Sequence, residues 1–107
     1  MSVAVLHCTC PDAATADRIA AALVDERLAA CVQQLPGVRS TYRWEGRVEQ
    51  ADEILLLIKT AKNRIPAVIA RVQAMHPYDV PELLAIDASD GAPTYLDWVT
   101  AQSRPDA

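Results

Sequence analysis

The stretch from Cys31 to Thr60, CVQQLPGVRSTYRWEGRVEQADEILLLIKT, constrains this chain more than any other. It reads as one long β-hairpin closed at Glu45-Gly46. Before the turn the residues alternate with period two: Val38, Ser40, Tyr42 and Trp44 share one face, and Arg39, Thr41, Arg43 and Glu45 share the other. Beyond the turn, Ile54-Leu55-Leu56-Leu57-Ile58 is continuously apolar, as expected of a central strand buried on both faces. Each arm is far longer than the usual strand of roughly 5–6 residues, so the tip is expected to project beyond the body of a small domain. A projecting tip that carries Tyr42 and Trp44 calls for a partner surface; the plain alternative is an exposed aromatic hairpin on a monomer. Pro36-Gly37 inside the first arm predicts a bend or bulge.

The rest of the chain supplies what the hairpin packs against. Val3-Ala4-Val5-Leu6 is a short apolar strand that leads into His7-Cys8-Thr9-Cys10. A helix is predicted from about Asp12 to Leu28, with Asp12 as its N-cap and Ala16, Ile19, Ala20 and Leu23 on its buried stripe. A second helix is predicted over Asn63–Met75, capped by Asn63, with Ile65, Val68, Ile69 and Val72 facing inward. His76-Pro77 ends it, because a residue before proline is pushed out of the α region. Leu83–Ile86 reads as a fourth strand. A short C-terminal helix follows with Tyr95, Trp98 and Val99 on one side, and Ser103–Ala107 is expected to fray. The order β-α-β-β-α-β in a single 107-residue domain predicts an α+β, ferredoxin-like split βαβ fold with an antiparallel sheet.

That arrangement has a consequence. Two helices cover one face of the sheet, yet Val3–Leu6, Ile54–Ile58 and Leu83–Ile86 are apolar at consecutive positions. At about 25 cal/mol per Å² of apolar surface, leaving the second face wet forgoes several kcal/mol. Self-association is the simplest cover. The alternative is that the C-terminal helix folds beneath the sheet and covers the face alone.

A net charge of −4 argues against nucleic acid or an anionic membrane surface as a partner, since both favour basic patches. No apolar stretch approaches the roughly 20 residues of a membrane-spanning helix, so a soluble, cytoplasmic chain is expected. Three cysteines is an odd number, and Cys8 and Cys10 are too close in sequence to make a useful disulfide staple. Reduced thiols in a reducing compartment fit that count.

Topology also brings chemistry together. The first strand ends where the second helix ends and the fourth strand begins, which puts Cys8 and Cys10 at the same end of the domain as Met75, His76 and Tyr78. Two thiols, a thioether and an imidazole are soft or borderline ligands suited to Cu(I) and, less well, to zinc. The competing reading makes each cysteine a small hydrophobe and His76 a helix terminator. Cys31, at the start of a long strand, reads as packing. Two histidines, no Ser/His/Asp ordering, no HExxH and no phosphate-cradling glycine loop argue against an enzyme. Glu82 reads as a solvated or paired strand-start carboxylate. Arg39, Arg43 and Arg47 against Glu49, Asp52 and Glu53 read as cross-strand ion pairs.

The chain resembles the CutA family, the divalent-cation tolerance proteins, from about Val3 to Val99. The resemblance rests on Cys8-Thr9 with Pro11-Asp12, on Leu28-Ala29-Ala30-Cys31, and on Ser40, Tyr42, Trp44, Gly46 and Glu53 along the hairpin. Lys59-Thr60, His76-Pro77-Tyr78, Pro81-Glu82, Tyr95 and Trp98 complete it. It implies a tight homotrimer with sheets facing inward and hairpins reaching to neighbours. It also implies copper binding by a cysteine matching Cys8 and a histidine matching His76. Where some members carry two consecutive histidines this chain has Met75, a change that disfavours Cu(II) and zinc but not Cu(I). Cys10 and His7 are extra candidate ligands. A second function of the same architecture is a trimeric signalling module akin in fold to nitrogen-regulatory proteins, with a small anionic ligand in intersubunit clefts near Arg39, Arg43 or Arg47.

Overall fold

In the computed structural model, which describes residues 3–105, the hairpin forms as its alternation requires. Strands β2 (Cys31–Trp44) and β3 (Arg47–Ala61) pair antiparallel around the two-residue turn Glu45-Gly46. Both turn residues have positive φ, 50° at Glu45 and 78° at Gly46, the geometry whose twist matches that of the flanking strands. The expected irregularity is present: the register shifts between Leu35 and Val38, and Gly37 takes φ 84°. One extra residue in β2 therefore resets which of its side chains share a face with β3.

Strand β1 (Val3–Cys10) pairs antiparallel with β3 on one side and with β4 (Leu84–Asp87) on the other, giving the order β2-β3-β1-β4. Helices α1 (Ala13–Asp25) and α2 (Ile65–Met75) pack on the face that carries Leu6, Cys8, Cys10, Leu56 and Ile58. Asp12 caps α1, accepting the Thr15 amide at 2.8 Å. That helix stops at Asp25 rather than Leu28. Arg27 (φ 60°) occupies the left-handed position that glycine usually fills, and Leu28 N–H bonds back to the Leu23 carbonyl at 2.9 Å. The Arg27 guanidinium donates to the carbonyls of Ala101 and Arg104, contacts that hold it there.

Asn63 is not the cap of the second helix. Lys62–Arg64 form a single 3₁₀ turn that runs directly into α2, so Ile65 N–H bonds to the Lys62 carbonyl instead of to a side chain. Ser103 is not frayed: it is buried, and its hydroxyl accepts the Ala61 amide at 3.1 Å. Asp106 and Ala107, also expected to fray, lie outside the described residues.

The second face of the sheet is largely open in the isolated chain. Register places Val5 beside Lys59 and Ile86, and His7 beside Leu57 and Leu84, all pointing away from α1 and α2. Helix α3 (Pro93–Gln102) reaches only one end of this face, where Val99 packs with Val3 and Ala30. Of the trio placed on one side of α3, Val99 is buried, whereas Tyr95 and Trp98 lie against each other at the surface, centroids 5.8 Å apart. Leu84 and Ile86 remain 60% and 50% exposed. The hairpin's outer half extends past Cys10, the last residue of β1 to pair with β3, and the molecule is drawn out to 44 × 25 × 22 Å.

Candidate metal centre and adjoining cleft

Cys8 and Cys10 sit two residues apart on β1, so both point to the helix-covered face, and both are fully buried. Pro11 closes the strand and α1 turns back over it. Helix α2 lies on the same face, and its C-cap His76, with ψ 138° before Pro77, delivers its ring to the end of β1. The two sulfurs and a ring nitrogen of His76 all lie within 4.8 Å of one another.

The ring is held at both nitrogens. Nε2 lies 2.8 Å from the Thr9 carbonyl, and Nδ1 accepts the Tyr78 amide at 3.1 Å. An amide can only donate and a carbonyl only accept, so these partners select the neutral tautomer with its proton on Nε2. The Thr9 carbonyl needs such a donor for a topological reason. The Val3 carbonyl, on the same alternation, points to the β4 side and bonds Ala88 N–H at 3.0 Å. The ladder with β4 stops at His7–Leu84, so the next carbonyl on that side, that of Thr9, has no strand to pair with. His76 takes the place of the missing strand.

Electrostatics separate the two thiols. The Cys8 thiol is pushed well up, first by its interaction with Cys10 and then by burial. Cys10 is correspondingly lowered, because the Cys8 S–H stabilises its thiolate. As a donor set, two thiols and an imidazole suit Cu(I). A tetrahedral zinc site would need a fourth ligand. His76 joins such an ion only by giving up one of its hydrogen bonds.

Of the other candidates, Met75 is half-buried and packs against the core that includes both cysteines. His7 is directed to the opposite face by strand alternation, and Cys31 pairs with Lys59 on that face too, so neither joins the cluster.

Beside this centre lies a cleft that the sequence reading did not find. Glu53, read as half of a surface ion pair, is 8% exposed and accepts two hydrogen bonds, from Ser40 Oγ at 2.6 Å and from the Tyr78 hydroxyl at 2.8 Å. The bulge explains the difference. It brings Glu53 opposite Val38, on the side of Ser40 and Tyr42, while Arg39 pairs with Asp52 at 3.2 Å on the other side. Arg43 and Arg47 make no ion pair among the described residues. Burial, then the bond to Glu53, raise the Tyr78 phenol, which keeps it a donor. The cleft in front of Glu53 has a volume of about 460 Å³ and runs between Thr9, Tyr42 and the Val80-Pro81-Glu82 segment. A second hollow of about 230 Å³ adjoins it, walled by Tyr42, Trp44, Tyr78 and Asp79. The signal that could have revealed Glu53 was Pro36-Gly37, had the phase change it imposes been carried through to the residues opposite.

Over residues 4–102 the chain matches the family described as CutA1 divalent ion tolerance protein. The divalent-cation tolerance protein CutA of Pectobacterium atrosepticum is 47% identical over 100 residues, 94% of this chain and 91% of that protein. Mouse Protein CutA is 43% identical over 98 residues, covering 92% of this chain but 55% of that protein. The crystal structure of CutA from Xylella fastidiosa superposes with a TM-score of 0.95 at 48% identity, covering 97% of this chain and all of that one (100%). A structure described as the periplasmic divalent cation tolerance protein CutA from Archaeoglobus fulgidus gives 0.92 at 34% identity, over 95% of this chain and 99% of that one.

Proposed function

The chain belongs to the CutA1 divalent-ion-tolerance family, and on that premise we propose that it serves metal tolerance as a homotrimeric, non-enzymatic copper-binding protein. The metal is Cu(I), held by Cys8 and Cys10, with His76 as third ligand and Met75 as an assisting thioether. One observation carries this reading: three buried soft or borderline donors from distant parts of the sequence converge within 4.8 Å. Binding displaces thiol protons, so affinity rises with pH. Because His76 is already bonded at both nitrogens, the thiols supply most of the affinity.

The trimer reading rests on the open sheet face. Leu84 and Ile86 are exposed beside half-buried Val5, Leu55 and Leu57, and α3 covers one end of that face only. Burying each such side chain contributes about 1.5–3 kcal/mol, enough over one face to drive assembly. Among the described residues no helix is long and apolar enough to cross a membrane, and all three cysteines are free thiols. The thiols favour a reducing, cytoplasmic setting. For the alternative of an anionic ligand near the arginines no observation speaks: Arg39 is engaged by Asp52 and Gln50, and the ionisable groups of the adjoining cleft are acidic.

Competition for Cu(I) against a chromophoric chelator, with the reduced protein and single variants, tests the site. Cys8→Ser and Cys10→Ser are expected to weaken binding by about tenfold or more, since a hydroxyl is a poor soft ligand. His76→Ala should act in the same direction but less, and Cys31→Ser not at all. Equal losses for Cys31→Ser and Cys8→Ser would reduce the site to adventitious thiol binding.

A further inference from the structure

We propose that three copies of His7, one from each subunit, form a second metal site on the threefold axis of the trimer, for a borderline divalent cation such as zinc. The inference rests on the homotrimer proposed above and is independent of the cysteine pair. Strand alternation sends His7 to the open face, opposite the face that buries Cys8 and Cys10. There its register neighbours are Leu57 on β3 and Leu84 on β4, and Val5 and Thr9 flank it along its own strand. The ring is half-buried. Among the described residues the hydrogen bonds to imidazole nitrogens are those of His76, and His7 has none. Covering this face buries a polar ring among aliphatic side chains, which is costly unless the ring gains a partner.

Symmetry supplies that partner. Strands β3 and β1 are the inner pair of the order β2-β3-β1-β4, and the contact with α3 takes the Val3 end of the face. The His7–Leu57 pair therefore sits at the middle of what remains open. Three sheets that turn this face inward enclose a triangular space, and the middle of each sheet lies nearest its axis. A residue nearest a threefold axis meets its own two copies, so each subunit contributes one ring nitrogen and no monomer assembles the set. The donors fix the class of ion. Imidazole suits zinc and other borderline cations, and three imidazoles leave a fourth position for water, with zinc–nitrogen bonds of about 2.0–2.1 Å. Magnesium and calcium want oxygen ligands, and no carboxylate stands beside His7 in either register. Lys59, beside Val5 on the same face, is held towards β2, where its ammonium donates to Gln33 Oε1 at 2.7 Å, so it does not oppose a metal charge.

The test uses the full-length reduced protein and zinc as probe, with calorimetry for binding and light scattering for assembly. Wild type should take up one more zinc equivalent per trimer than His7→Leu, a variant that sets an apolar residue on an apolar face and should keep both the trimer and its Cu(I) affinity. Zinc should also move dissociation on dilution to lower chain concentration in wild type but not in the variant. Should His7→Leu fail to fold, His7→Gln, polar but without a ring nitrogen, should lose the same equivalent. Cobalt(II) in place of zinc should give a difference spectrum, wild type minus variant, with the visible bands of a tetrahedral ion and no thiolate-to-cobalt band. A trimer whose zinc stoichiometry is the same with and without His7 overturns the site and leaves the assembly standing, as does a thiolate band in that difference spectrum. A monomer in light scattering overturns the assembly, and the axial site with it.

Discussion

Replacing His76 by alanine probes the junction on which the candidate metal centre and the cleft both depend. The ring is 7% exposed, donates to the Thr9 carbonyl at 2.8 Å and accepts the Tyr78 amide at 3.1 Å. A hydrogen bond contributes about 0.5–1.5 kcal/mol net, but a buried group left unpaired costs about 1–3 kcal/mol. Thr9 is buried and its carbonyl faces the side where β4 has not begun, so without the ring only the weak Cys8 thiol donor at 3.9 Å remains. Tyr78 is half-buried and its amide can recruit water, which puts it at the lower end of the range. Together the two losses amount to roughly 2–4 kcal/mol. For a domain of this size each kcal/mol lowers Tm by about 4–8 °C, so a fall of roughly 8–30 °C is expected. Urea unfolding of wild type and variant at one fixed chain concentration measures it, because the midpoint of an assembled protein moves with concentration. A loss below about 0.5 kcal/mol, the scale of an ordinary surface substitution, would refute the account of His76 as the stand-in for a missing strand.

Placing aspartate at both Leu84 and Ile86 sets charges on the open face; light scattering should then fall from about three times the chain mass to the 11.6 kDa monomer, and an unchanged trimer would place the interface elsewhere. Trp44→Asp should weaken assembly in the same assay if the hairpin tip docks on a neighbour. Thr60→Val, which leaves the buried Leu28 carbonyl without its 2.7 Å donor, should cost about 1–3 kcal/mol in urea unfolding, whereas Thr60→Ser should cost less. The Asp12 carboxyl is held below its ordinary value of 3.8 by the Thr15 amide, so its stabilisation is full above that pH and is lost as pH falls through the lower folded value. Asp12→Asn, a cap that does not titrate, should flatten that part of the acid-unfolding profile.

Much of the architecture was legible in the residues because strands and turns announce themselves locally. Period-two alternation gave away the hairpin, Glu45-Gly46 its turn and Pro36-Gly37 its bulge. Consecutive apolar residues in Val3–Leu6 and Ile54–Ile58 announced a face that the helices leave open. The convergence of Cys8, Cys10 and His76 was also accessible, since strand order alone puts their elements at one end of the sheet. Helix boundaries were less so. Arg27 ends α1 from a left-handed conformation that nothing in its side chain advertises, and its guanidinium is held by carbonyls more than seventy positions away.

What the sequence by itself determined is which elements form, in what order, and which donors share an end of the fold, because propensity and alternation act between near neighbours. What only the tertiary structure decided is how those residues are used. His7 was kept out of the candidate metal centre and Glu53 was drawn out of a surface ion pair into a cleft, each by strand phase. His76 was turned from a free ligand into a ring bonded at both nitrogens, because the ladder between β1 and β4 stops one step short of Thr9. Register is set by packing across the whole sheet, and a shift of one residue exchanges the faces of every side chain beyond it.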